Sequence, residues 1–107
     1  MASSNELFGK LDNEYSKIGS YIKDKGIEIK TIKDIERIEI PVSKSIKASI
    51  DLISKSSYDD YIKNEMKKAV LIETVRRLSE EFEMDPMALV MELDRDTQNL
   101  FKKAIKP

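Results

Sequence analysis

The 107-residue chain contains no cysteine and no histidine. Without cysteine it holds neither a disulfide nor a thiolate metal site. Without histidine it lacks the commonest general base near neutral pH and the commonest zinc ligand. Its three glycines are scattered at Gly9, Gly19 and Gly26, so no glycine-rich phosphate loop can form. No apolar run approaches the about 18 residues that mark a membrane span. The start, "MASSNELFGK", has neither the basic region nor the apolar stretch of a secretory signal. A soluble, cytoplasmic protein is the expectation.

An excess of one charge is also missing. Charged residues make up 36% of the chain, yet the formal net charge is −1. That balance offers no global field to nucleic acid or to an anionic membrane. Nucleophilic catalysis needs a hydroxyl or thiol beside a base, and the serines cluster where helices start and in "SKSS" at 54–57. The expectation is therefore a protein that is not an enzyme, with no cofactor and no metal. Ile is abundant beside Lys and Glu, and Gln occurs once. Hyperthermophile proteins show this bias, and AT-rich genomes share it.

What is present is helical periodicity in a chain of a length that suits one domain, residues 1–107, with its own core. Leu7, Leu11, Tyr15, Ile18 and Ile22 fall on one face of a helix over 5–25. Ser4 or Asn5 would cap it and Gly26 would end it. Residues 26–42, "GIEIKTIKDIERIEIPV", read as two short strands joined by a helical turn, with Pro41 at an edge. A short helix over 31–38 is the rival. Ser43 would cap a helix over 43–56 carrying Ile46, Ile50 and Ile53. Ser57 would cap a long helix over 57–83. Its first half should bury Tyr58, Ile62, Met66 and Ala69, and its second half Leu71, Val75, Leu78 and Phe82. Asp85-Pro86 starts a helix over 86–93. Asp96 or Thr97 would cap a last helix with Leu100, Phe101, Ala104 and Ile105 inward and Lys102, Lys103 and Lys106 at its end. The expected fold is mainly α, a four- to five-helix bundle around helix 57–83, with the ribbon at 26–42.

"VRRLSEEFEMDPMALVMELDRD" resembles a generic helix-turn-helix, with Leu78 and Phe82 on the first helix and Leu89 and Leu93 on the second. A recognition helix presents hydrogen-bonding side chains to base edges. Here the free positions hold Met87, Val90, Met91 and Glu92, and Asp94 follows. This helix therefore has two apolar sides. Leu89 and Leu93 should face the first helix. Met84, Met87, Val90 and Met91 form the other side. Either that side is covered by the last or the first helix, or it is a protein-partner groove or dimer seam, since Met adapts to varied surfaces.

Two weaker patterns accompany it. Lys17, Lys23 and Lys25 interleave with Tyr15 and Tyr21, and with Arg76 and Arg77 they are the candidates for phosphate contact in a nucleic-acid-binding alternative. Carboxylates crowd Glu80, Glu81, Glu83 and Asp85, but the spacing and glycine of a calcium loop are missing, so an acidic solvated face is expected. The leading expectation is a small accessory subunit or adaptor that binds protein through the Met side.

Overall fold

A computed structural model shows the described residues, 4–105 for the backbone and 6–104 for the side chains, as six helices with no strand among them. They are α1 (Ser4–Asp24), α2 (Ile32–Glu36), α3 (Glu39–Ser54), α4 (Asp60–Glu81), α5 (Pro86–Glu92) and α6 (Arg95–Ile105). The cap expected at Ser4 or Asn5, and the side chains of Ile105 and Lys106, lie outside the described side chains. No helix among the described residues is long and apolar enough to cross a membrane.

α1 follows its sequence pattern. Leu7, Tyr15, Ile18 and Ile22 are buried. Gly26 takes φ 63°, its N–H bonds to the Lys23 carbonyl, and Ile27 N–H reaches back to Ile22. This pair of bonds closes a helix end through a left-handed residue, which glycine enters without a Cβ clash.

The ribbon expected at 26–42 is not there. Asp34 accepts from the backbone N–H of Lys30 and of Thr31, at 2.9 and 3.0 Å, and from the Thr31 hydroxyl. That cluster starts α2, near the rival helix over 31–38. α3 then begins at Glu39, four residues before Ser43. Pro41 is its third residue, where no intrahelical N–H bond is needed. The alternation of Ile38, Ile40 and Val42 is only apparent: Ile38 and Val42 are fully buried, while Ile40 is 65% exposed. Ser43, expected as a cap, is instead buried inside α3.

α4 is continuous, as expected, but runs over 60–81. Asp59, not Ser57, is its cap, accepting from Ile62 N–H at 2.9 Å. Leu71, Thr74, Val75 and Leu78 are its buried residues. The stripe expected to be buried in its first half is not: Ile62 is 41% exposed, Ala69 is exposed, and Tyr58 and Met66 are half-buried.

One cluster of buried side chains joins the helices: Ile18 and Ile22 of α1, Ile35 of α2, Val42 and Ile46 of α3, Leu78 of α4, Leu89 of α5 and Phe101 of α6. α1 lies along α3, and α3 along α4. α5 sits against α2 and α4, and α6 closes over α3, α4 and α5.

Candidate functional site

α5 is only seven residues long, too short to be stable by itself in water. Its surroundings hold it. At its start, the Asp85 carboxylate accepts from Met87 N–H at 3.2 Å, and Pro86 supplies a pre-set φ. On its inner side, Leu89 and Leu93 are buried in the cluster that contains Leu78, with Phe82, Ala88 and Val90 half-buried against it. At its end, the Gln98 side-chain amide of α6 donates to the carbonyls of Met91 and Leu93, at 2.7 and 2.8 Å.

The corner between α5 and α6 is tied to α3. Asp94 caps α6, a role expected of Asp96 or Thr97, by accepting from Thr97 N–H at 2.8 Å. Its other oxygen takes the Lys47 ammonium of α3 at 2.8 Å. The Lys47 hydrogen bond, helped by the Thr97 N–H, holds the Asp94 carboxyl down at about 2.

The four proposed partner residues separate on this frame. Met87 and Met91 are 65% and 69% exposed, and their spacing of four puts them on one side of α5. Val90 is half-buried at the edge. Met84 is 8% exposed and belongs to the core, which corrects its assignment to the partner surface. The reason is the backbone at the end of α4. Glu83 takes φ 50°, Met84 N–H bonds back to Ser79 at 3.2 Å, and the reversal turns Met84 inward as the apolar residue of the helix end. Neither α1 nor α6 buries Met87 and Met91, although α6 meets the Met91 backbone.

The five residues of the nucleic-acid alternative do not form a free basic track. Lys17 pairs with Glu14 at 2.8 Å, Lys23 with Glu81 at 3.6 Å, and Arg77 with Asp12 at 3.1 Å. Arg76 is held between Glu73 and Glu80. Lys25 lies over the Tyr21 ring at 6.0 Å. Arg77 also stacks on Tyr15, 3.9 Å from the ring centre, while the Tyr15 hydroxyl donates to Glu81 at 3.0 Å. Burial first, and that hydrogen bond second, push the Tyr15 hydroxyl well above its ordinary pKa. Lys23 and Arg77 work as struts between α1 and α4, while Lys17 and Arg76 are paired within their own helices.

The acidic cluster is similarly engaged. Glu80 serves Arg76, Glu81 serves Tyr15 and Lys23, and Asp85 caps α5. Among the described residues no three of His, Cys, Asp or Glu are gathered as a metal-holding group.

A second feature escaped the sequence reading. Beside the Arg77 struts, a groove of about 240 Å3 lies between α1 and α4. Phe8, Leu11, Met66, Ala69 and Val70 form its apolar walls, and Ser49 of α3 lies in its floor. Phe8 falls off the stripe formed by Leu7, Leu11, Tyr15, Ile18 and Ile22, and its 55% exposure is the feature that periodicity alone passes over.

No protein-family model, no curated protein and no solved structure matches this chain. The functional reading therefore rests on the geometry above.

Proposed function

We propose that this protein is a small non-enzymatic interaction module, an accessory subunit or adaptor, that docks another polypeptide on the outer side of α5. The observation that carries the reading is the exposure of Met87 and Met91 on a helix fixed on its other side and at both ends. A surface held in place before binding loses little conformational freedom when it binds. Two unbranched, polarisable side chains give that rigid helix an adaptable contact. Burying them under a partner is worth about 1.5–3 kcal/mol each, a useful part of an interface.

Nucleic-acid binding has less support, because four of its five candidate cations already face carboxylates. α5 also offers no base-reading donors at its exposed start.

The test is the double variant M87K/M91K. Both side chains are exposed, so unfolding stability should change by no more than about 0.5 kcal/mol per site. Sedimentation of the pure protein and capture of partners from its own cells then show what α5 contacts. A dimer or a captured protein that is present with the wild type and lost with the variant supports the reading. Binding unaffected by the variant rejects it. A loss of several kcal/mol in stability rejects the surface placement itself.

A further inference from the structure

A second groove lies between α4 and α6, with a volume of about 400 Å3. Its apolar lining comes from three helices: Ile50 of α3, Leu71 of α4, and Leu100 and Ala104 of α6. Leu71 is buried, and the other three are half-buried against the core. Three lysines border this apolar strip, Lys67 and Lys68 from α4 and Lys103 from α6, and no carboxylate among the described residues lines it. Lys68 is partly engaged by Glu65 at 3.6 Å. Lys67 and Lys103 make no ion pair among the described residues. In a chain of net charge −1, this is a local excess of positive charge set around apolar surface.

We infer that this groove binds an acidic amphipathic helix of a protein partner. Apolar anchors at helical spacing would fill the strip formed by Ile50, Leu71, Leu100 and Ala104, and flanking carboxylates would meet Lys67, Lys68 and Lys103. The lining discriminates among anionic ligands. A nucleic acid would use the lysines, yet no aromatic ring among the described residues lines the groove for a base to stack on, and its apolar strip would stay unused. A bilayer surface is flat on this scale and cannot enter a groove between two helices. A helix with carboxylates beside an apolar stripe uses both features. This inference does not depend on the exposed side of α5, which uses other residues.

The experiment is fluorescence anisotropy on the full chain with a labelled peptide of about 15 residues, about 22 Å as a helix. It carries Leu at i, i+3 and i+7 and Glu on both flanks. The controls are the same peptide with Lys for Glu and a mixed-sequence single-stranded DNA. Saturable binding of the acidic peptide is expected, weakening as salt rises. The charge-reversed variant K67E/K103E should bind it about tenfold more weakly, since each reversal removes an attraction and adds a repulsion. A104F, which fills the groove without altering charge, should also weaken it, and M87K/M91K should leave it unchanged. Circular dichroism of each variant confirms that it is folded. The inference is overturned if the acidic peptide does not saturate, if the basic peptide binds equally well, or if K67E/K103E binds like the wild type. DNA binding that exceeds peptide binding and is lost in K67E/K103E would overturn it in favour of nucleic acid.

Discussion

Replacing Asp94 should separate two contributions that one side chain makes to the frame of α5. One carboxylate oxygen caps α6 through Thr97 N–H at 2.8 Å, and the other holds Lys47 at 2.8 Å. Asn caps a helix about as well as Asp, so D94N removes mainly the ion pair, and D94A removes both. The side chains of Lys47 and Asp94 are 45% and 34% exposed, so solvent screening discounts their pair to about 0.5 kcal/mol. The cap is worth about 1 kcal/mol. At pH 7 the expected losses are about 0.5 kcal/mol for D94N and about 1.5 kcal/mol for D94A. For a domain near this size these correspond to falls in Tm of about 2–4 and about 6–12 °C.

The pH dependence follows from the depressed folded-state value of about 2, against about 3.9 in an unfolded chain. A carboxyl whose pKa is lower in the folded state contributes its stabilisation fully above the unfolded value. It loses that stabilisation as pH falls through the folded value. The gap between wild type and D94N should therefore be constant above about pH 5, shrink steadily below it and vanish near about pH 1. Thermal unfolding followed by circular dichroism across this range measures both effects. Equal losses for D94N and D94A would refute the capping role. A D94N gap that stays undiminished from about pH 5 down to about pH 2 would refute the ion pair.

Other consequences are sharper in sign than in size. Glu83 pays for the end of α4 with a left-handed backbone at φ 50°, so E83G should raise unfolding stability by about 0.5–1 kcal/mol in urea titration. A loss would show that the turn does not need that conformation. The Thr97 hydroxyl is fully buried and meets no partner among the described residues at full hydrogen-bond geometry, although it lies near enough to the Asp94 carboxylate to help lower its pKa, so T97V, which keeps the shape, should change unfolding stability by less than about 1 kcal/mol. A clear loss would mean that the hydroxyl is bonded in solution. M84A should cost about 2–4 kcal/mol, whereas M87A and M91A together should cost less than about 1 kcal/mol. Similar costs for all three would contradict their division between core and surface.

Parts of this fold were legible because one residue type admits one use. The "DP" start of α5, the stripe of α1 and the glycine that ends α1 each left little choice. The stretch at 26–42 was not legible, because Ile38, Ile40 and Val42 fit a strand alternation, while Ile38, Val42 and Ile46 fit a helix. Tertiary burial chose the second, leaving Ile40 outside. The first half of α4 was misread for the opposite reason. Apolar residues at helical spacing normally mean core, yet Ile62 and Ala69 face outward and Met66 lines the groove beside α1.

The candidate site was legible in outline only. The pairing of Met87 with Met91 follows from spacing, and the seat of Leu89 and Leu93 from the helix-turn-helix pattern. Met84 was misplaced because glutamate seldom marks a left-handed residue, so the reversal at Glu83 gave no local signal. The basic residues of α1 and α4 looked available in one dimension. Lys17 and Arg76 meet carboxylates three or four residues away on their own helices, but the partners of Lys23 and Arg77 lie across the chain, 65 residues away for Arg77 and Asp12, and only the fold brings those together. The Lys67–Lys68 pair on α4 and Lys103 on α6 are likewise separated in sequence and joined only by packing.

The claim that α5 presents its methionines to another polypeptide is tested most directly by site-specific photo-cross-linking in the protein's own cells. A photoreactive residue is placed at position 87 or 91, with the exposed position 25, just after α1, as control. The account predicts a discrete protein adduct, either a second copy or a partner, from positions 87 and 91 and not from position 25. The absence of any protein adduct at 87 and 91, or adducts to nucleic acid in its place, would contradict it.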